Sequence, residues 1–367
     1  MTSASIGSRP QSARRNALRG AGETVRARAL DGATRQLATL LRAGIPLAQS
    51  LQTLTRSQTP ALATVFERVR CDVEAGMTLE RALARHPRVF DSLYRSLVAA
   101  GESGGLLDGM LDRIASYRER AGRLRARVRA ALVYPLAVMA VAGLAVGVIL
   151  VWVVPTFAAM FDRAGEALPL PTQVVMNLSA ALLSHGAWLA LALAAAGLAL
   201  HRALRDSPAA QRRFERLLLQ LPLLGRVLAD AAAARWCRTL GMLLGAGVPL
   251  TDALGTVSQV AGQHRLADAT RRIRRDTAMG RGLAPGMARS GCFPAIAVQM
   301  AMVGEESGTL DSLLGRAAEA LEQAVEEAVE QMTTLLEPAI MLILGVIMGG
   351  LIVALYLPVF RLGSAIG

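Results

Sequence analysis

Lysine is absent: all 40 basic residues of the 367-residue chain are arginine. That excludes a phosphate-binding Gly-x-x-x-x-Gly-Lys-Ser/Thr loop, which reaches the terminal phosphates with a lysine ammonium. Cysteine is scarce and scattered. Cys71, Cys237 and Cys292 are odd in number and form no Cys-x-x-Cys pair, so they build neither a disulfide framework nor a paired-thiolate zinc site, and a reducing compartment fits. The four histidines stand far apart and no His-Glu-x-x-His occurs, which leaves no basis for a His-centred metal site. Aromatic residues make up only 4% of the chain. What is abundant is apolar: 53% hydrophobic residues and a mean hydropathy of +0.39, alongside 19% charged residues. A soluble enzyme is rarely so apolar and a pure transporter bundle rarely so charged. The mixture implies apolar spans alternating with charged domains. The net charge of +12 suits nucleic acid or a face turned to anionic lipid.

The apolar residues are concentrated. Ala130–Val154 carries no charge and includes Pro135; about 20 apolar residues suffice to cross the hydrocarbon. Trp188–Leu200 is a second apolar run, extending back through Leu178–Leu183 across Ser184, His185 and Gly186, and Pro338–Phe360 is a third. Three spans are expected, at 130–155, 177–200 and 336–360, with a short external loop at 156–176. Arginines set the orientation. Arg118, Arg120, Arg123, Arg125, Arg127 and Arg129 precede the first span, and Arg202, Arg205, Arg212, Arg213 and Arg216 follow the second, whereas the loop between holds only Arg163 against Asp162 and Glu166. The N-terminus and 201–335 are therefore expected to be cytoplasmic and the tail 361–367 to be external. Residues 1–32 lack an apolar core and read as a disordered basic arm rather than a secretory signal. None of the three apolar runs contains a charge, where an ion-coupled transporter usually places one.

The chain is also duplicated. Leu40-Leu41-Arg42-Ala43-Gly44-Ile45-Pro46-Leu47 returns as Leu243-Leu244-Gly245-Ala246-Gly247-Val248-Pro249-Leu250, an offset of 203. Gly101-Glu102 returns as Gly304-Glu305 at that offset, and Asp108, Pro135 and Pro155 return as Asp311, Pro338 and Pro358. Between them the offset drifts to 204, as Gly76/Gly280 and Leu79/Leu283 show. The expected architecture is an all-α membrane protein: a cytoplasmic helical module (33–129) and a span, then a second module (201–335) and a span. The extra span between them returns the chain to the cytoplasmic side. In the first module, helices are expected from Asp31 or Ala33 to Ala43, from Pro46, from Pro60 to Gly76, from Thr78 to about His86, from Asp91 to Gly101, and from about Gly105 to Arg129 and onward. Short turns favour an antiparallel bundle.

Candidate site residues follow from this plan. Glu102 and Glu305 are expected in turns after Gly101 and Gly304, with Asp108 and Asp311 in the first turn of the sixth helix, opposing its dipole or forming a partner- or cation-binding edge. The sixth helices differ in charge: Arg123 and Arg127 correspond to Glu326 and Glu330. Such stripes are solvated faces or pair electrostatically, within the chain or between protomers. Gly143/Gly147 and Gly345/Gly349 have the spacing that permits close helix approach. Pro135 and Pro338 fall at the inner ends of their spans. No catalytic residue and no cofactor site is evident, and whether a metal binds the acidic positions is open.

The duplicated module with Thr34–Leu47, the two Gly-Glu pairs and the proline-bounded spans resemble the type II secretion F / PilC family of inner-membrane platform proteins, over about residues 33–363. His86-Pro87 through Phe90-Asp91-Ser92-Leu93-Tyr94, Val303–Gly308, and Glu337-Pro338 to Tyr356–Phe360 look more like the type IV pilus branch than the secretion branch. The resemblance implies two homologous six-helix cytoplasmic bundles, three transmembrane helices and a homo-oligomer in the bacterial inner membrane. It further implies a non-catalytic protein that couples hexameric cytoplasmic pilus ATPases to pilin subunits beside other inner-membrane assembly proteins, with no nucleic-acid partner. The type II secretion platform is the nearer alternative; a three-span transporter subunit or membrane signalling protein is the more distant one. Members usually carry a longer region before the first module, which puts any contact made by that region in doubt here.

Overall fold

The first helix begins earlier than its residues suggest. In the computed structural model, which describes residues 27–156, 170–220 and 222–366, α1 runs Ala27–Arg42 rather than starting at Asp31 or Ala33. Leu30 is buried on the stripe that Ala33, Leu37 and Ala38 continue, and Asp31 accepts a hydrogen bond from Arg118 Nε at 2.5 Å. These distant partners extend the helix into the expected arm. The rest of the arm, to residue 26, and residues 157–169 of the expected loop lie outside the described residues.

Every regular element among the described residues is a helix. The first copy continues with α2 (Leu47–Ser57), α3 (Pro60–Glu74), α4 (Leu79–Ala84), α5 (Ser92–Gly104) and α6 (Leu107–Val148). Then come α7 (Leu170–Asp206) and α8 (Pro208–Gln220). The second copy follows as α9 (Pro222–Leu244), α10 (Leu250–Val260), α11 (His264–Ala278), α12 (Leu283–Ser290), α13 (Ala295–Ser307) and α14 (Leu310–Ile366). The expected caps are present. The Thr78 hydroxyl accepts from Arg81 N, and Asp91 Oδ1 accepts from Tyr94 N at 2.8 Å. The expected tail at 361–366 continues α14 as helix.

The described residues up to Arg125, together with Arg226–Val325, form one compact unit in which both copies share a single apolar core. The copies fill equivalent space with different side chains. Trp236, 1% exposed, stands where the first copy has Ala33. It packs against Phe293 with ring centroids 4.6 Å apart and donates to Thr270 Oγ1 at 2.8 Å. In the first copy the bulk comes from the other helices: Phe66 replaces Thr270, Tyr94 replaces Ala297, and Phe90 lies between the two rings. The aromatic bulk is redistributed among the helices, a repacking that cores tolerate when total volume and patterning stay similar. Burial pushes the Tyr94 phenol up to about 12 and the Cys237 thiol up to about 12, so neither ionises near neutrality. The copies also meet directly, with Ser96 Oγ 3.1 Å from Thr256 Oγ1 and Arg113 Nη1 donating to the Gly245 carbonyl at 2.9 Å.

The second unit comprises Ala126–Gly225 and the residues from Glu326 onward. Residues 201–225, expected with the second cytoplasmic module, thus group with the apolar helices. Among the described residues, two helices are long and apolar enough to cross a membrane, Leu107–Thr156 and Leu310–Leu357. Their outward side chains, such as Leu136, Val141 and Leu342, are exposed as a lipid-facing surface requires. Leu150, Val154 and Leu351 form the interior of this unit. Here α7 is fastened to both apolar helices. Thr172 donates its hydroxyl to the Ala354 carbonyl at 2.7 Å, and Ser179 donates to the Leu150 carbonyl. Leu150 belongs to the π-helical turn Ile149–Val153, where the i→i+5 pattern loosens the backbone ladder. A hydroxyl then supplies the carbonyl's partner where lipid cannot.

A β-carbon built on Gly143, Gly147, Gly345 or Gly349 meets nothing within 4 Å. Within the chain the helices touch along the Leu150–Val154 and Leu351 side instead, so these glycines are not an internal packing seam. Pro135 and Pro338 stand near the inner ends of the apolar runs. Both lie inside unbroken helices, where each removes one amide from the i→i−4 ladder.

The exchange of aromatic bulk predicts that Trp236→Ala destabilises the second copy by about 3–5 kcal/mol, whereas Trp236→Phe, which retains contact with Phe293, costs much less. Amide hydrogen exchange of the purified full-length protein should show the largest loss of protection in α11 and α13.

Candidate functional site

Gly101 and Glu102 are not in a turn. Helix α5 continues through both to Gly104 and ends at Gly105, φ +67°. The chain can enter the left-handed region there without a β-carbon penalty, and Leu106 N bonds back to the Gly101 carbonyl at 2.9 Å. Gly101 serves a different need. A β-carbon on it would lie 2.9 Å from Met110 Cγ and 3.0 Å from Leu107 Cα, so only glycine lets the first turn of α6 cross α5 this closely. Gly304 does the same for α14, with Leu310 Cα 2.9 Å away.

The neighbouring glutamates face the other way. Glu102 accepts hydrogen bonds from Leu79 N at 2.7 Å and Glu80 N at 3.1 Å. Glu305 accepts from Leu283 N and, at 2.9 Å, from Ala284 N. Each carboxylate therefore caps the fourth helix of its copy, α4 or α12, and not the sixth helix that sequence proximity suggests. The fourth helix is short, its first amides lack intrahelical partners, and an anion there is favoured by both hydrogen bonding and the helix dipole. In the second copy Gly282 occupies the N-cap and supplies no side-chain bond, so Glu305 is the sole side-chain cap described there. Asp108 and Asp311 stand in the first turns of α6 and α14, as expected. Among the described residues no cluster of three or more His, Cys, Asp or Glu side chains is arranged to hold a metal ion.

Gly101-Glu102-Ser103-Gly104-Gly105 has the Gly-x-Ser-x-Gly spacing of hydrolase nucleophile elbows. It ends a helix rather than joining a strand to one, and Ser103 donates to the Ala99 and Ala100 carbonyls at 3.0 and 3.1 Å. The geometry is that of a helix terminus.

A second pair of residues was not singled out from the sequence and ties each module to its sixth helix. Arg35, on α1, grips Glu119 of α6 with Nε–Oε1 and Nη2–Oε2 distances of 2.9 Å, and its Nη2 also reaches Ser116 Oγ at 3.0 Å. Arg238, on α9, grips Glu322 of α14 in the same fork, at 3.2 and 2.9 Å. Two parallel bonds from one guanidinium fix orientation as well as distance. Arg35 also pairs with Asp112, and Arg238 with Glu319 at 3.3 Å. Burial opposes the Arg238 charge, yet the bonds from Glu322 and Glu319 raise its pKa above the ordinary value. The bond from Arg35 holds the Glu119 carboxyl below its usual range. Both members recur at the offset of 203, which is the sequence signal that identifies them.

The charged stripes of the sixth helices meet within the chain. Arg120 Nη1 lies 3.4 Å from Glu319, and Arg127 pairs with Glu326. The register is one turn from simple equivalence, which sets Arg123 beside Glu326 and Arg127 beside Glu330. Instead, Arg123 helps to hold the Glu119 carboxyl down. The side chains of these pairs are 40–63% exposed, so each pair contributes about 1 kcal/mol or less.

Because Glu119 has a lowered pKa in the folded protein, its contribution to stability is present above the unfolded carboxyl value of about 4.3 and is lost as pH falls through the folded value. Unfolding midpoints measured from pH 7 into that acid range should fall for the natural sequence, and Glu119→Gln should show a lower midpoint at pH 7 with a shallower acid decline.

The sequence model of type II secretion system protein F matches residues 33–155 and again 236–358. The second match starts and ends 203 residues after the first, the offset at which the Arg–Glu fork and the Gly-Glu pair recur. The chain is 39% identical over 353 residues to the type IV pilus assembly protein PilC of Pseudomonas aeruginosa, covering 95% of this chain and 94% of that protein. It is 42% identical over 337 residues to the type 4 fimbrial assembly protein PilC of Pseudomonas putida, 91% and 84% of the two chains. With the type II secretion system protein F of Xanthomonas campestris it shares 37% over 337 residues, 91% and 82%. Two family matches in one chain, each carrying the same fork and the same capped fourth helix, show that this protein belongs to the type II secretion F family.

Proposed function

We propose that this chain is the inner-membrane platform protein of type IV pilus assembly, coupling cytoplasmic ATPases to the polymerisation of pilin subunits without catalysing a reaction itself. The observation that carries the coupling is that each module's sixth helix continues without a break into an apolar segment, as Leu107–Val148 and Leu310–Ile366. A helix transmits tilt or rotation along its length far better than a flexible linker does. The forks Arg35–Glu119 and Arg238–Glu322 give each module a grip on the base of that helix. A displacement of α1 or α9 would thus be passed to the apolar segments.

The proposed topology has three spans, with the N-terminus and both modules cytoplasmic and the C-terminus periplasmic. The apolar Trp188–Leu200 stretch of α7 supplies the middle crossing, and the hydroxyl bonds from Thr172 and Ser179 support placing α7 in the same hydrocarbon layer as the other two. Arginine placement on either side supports the orientation. The acidic and basic faces of the paired sixth helices are a natural site for partner or protomer contacts, with Arg123 and Glu330 as further candidates.

The pilus reading draws on the names and full-length similarity of the Pseudomonas relatives; the family description and the Xanthomonas relative favour a second reading, the platform of a type II secretion system. A deletion strain separates them. The pilus reading expects loss of surface pili and twitching with normal exoprotein secretion, and the reverse result establishes the secretion platform. The coupling mechanism predicts that a Gly-Gly-Gly insertion after Arg129 abolishes piliation, while immunoblots of membranes show normal insertion.

A further inference from the structure

Helix α8 (Pro208–Gln220) has no part in the coupling just described, and its surface is unusual. Only Ser207 separates it from α7. The joint is hydrogen-bonded: Ser207 N to the Ala203 carbonyl at 3.0 Å, Gln211 N to the Ser207 carbonyl at 3.1 Å, and Gln211 Nε2 to the Leu204 carbonyl at 2.8 Å. At helical spacing, the exposed Arg212, Arg213 and Arg216 share an arc of about 100°. The adjoining arc carries Leu217, 62% exposed, and Phe214, 36% exposed. An apolar edge left open beside an arginine face is the pattern of a helix lying in a membrane interface. The aliphatic edge enters the acyl boundary, and guanidinium groups match phosphate oxygens with paired donors.

We propose that α8 lies on the cytoplasmic face of the membrane and binds anionic lipid headgroups through Arg212, Arg213 and Arg216, with Phe214 and Leu217 seated at the acyl boundary. The proposal rests on reading α7 as the middle span. It favours lipid over an acidic protein because the helical rise from Leu200 to Pro208 is only about 12 Å, about one and a half screening lengths of roughly 8 Å at physiological salt, so part of the attraction of an anionic surface still reaches α8. Three arginines against the single Glu215 give α8 the sign that such a surface attracts. A helix anchored there would fix the rotation of α7.

The test uses the full-length protein in nanodiscs of phosphatidylcholine, with or without phosphatidylglycerol, and with acyl chains brominated to quench tryptophan. Native Trp188, 71% exposed on α7, reports the span, and a Phe214→Trp variant reports α8. The expected result is a quenched component that disappears in Trp188→Phe, plus a second quenched component in Phe214→Trp that is stronger with phosphatidylglycerol. In the triple variant Arg212→Gln, Arg213→Gln, Arg216→Gln, the phosphatidylglycerol retained through detergent exchange should fall, by about fivefold per arginine lost. If Trp188 is quenched and Trp at 214 is not, the α8 proposal fails while the span reading stands. If Trp188 is not quenched, both fail. Unchanged phosphatidylglycerol retention in the triple variant also overturns the lipid site, as does a loss of piliation in that variant with lipid binding intact, which would assign the arginines to a protein partner.

Discussion

The two-pronged grip of an arginine on a glutamate, made once in each copy, is the constraint on which the arrangement of the modules depends. Arg35–Glu119 and Arg238–Glu322 are the two-pronged members of a set of ion pairs between the first and sixth helices that also includes Arg118–Asp31 and Arg238–Glu319; apolar packing fixes distance, and the forks add a fixed rotation. The sixth helix is the only one of the six that continues into an apolar segment, so its orientation is the property most worth fixing. The surrounding devices serve the same junction. Gly101 and Gly304 allow the sixth helix to start against the fifth, and Glu102 and Glu305 hold the short fourth helix to the end of the fifth.

The apolar unit uses hydroxyls where the modules use ions. Thr172 and Ser179 stand on one face of α7 and bond to carbonyls of the two duplicated helices, Ala354 and Leu150. Those acceptors occupy nearly equivalent places in the repeat, so a single inserted helix treats two related partners alike. That economy explains how one unduplicated helix can join a duplicated pair. It also explains why the spaced glycines stay open: the contact side of each helix is taken by leucine, valine and the hydroxyl-bearing face of α7. Open glycine faces without a neighbour in the chain are compatible with packing between protomers.

Much of this was legible in the residues. The duplication, the all-helical class, the caps at Thr78 and Asp91 and the two long apolar helices follow from spacing, because each depends on local chemistry or on periodicity that the sequence displays directly. The Gly-Glu pair was visible as a motif but not as a geometry. Whether a helix stops at Gly101 or at Gly104 depends on packing against Met110, and which helix a glutamate caps depends on a neighbour more than twenty residues away. The start of α1 was hidden for the same reason, since Asp31 is tied to Arg118 of α6 and Leu30 is buried in the shared core. The forks were concealed in charged surfaces that look like ordinary solvated stripes. Both members recur at one offset, a signal they share with the pair Arg85–Asp72, which returns as Arg289–Asp276 at an offset of 204. The register of Arg127 with Glu326 shows the remaining limit: equivalence in the repeat does not predict which residues face each other when two copies pack.

The most direct test of the account is the rate of pilus extension in cells carrying Glu322→Gln, with the protein at its normal level in the membrane. This change keeps the shape and one hydrogen-bonding oxygen of the side chain but removes the charge that locks Arg238 to the sixth helix. The account predicts markedly slowed extension with membrane insertion and module folding unchanged. Extension at the natural rate would contradict the claim that the fork passes motion from module to membrane.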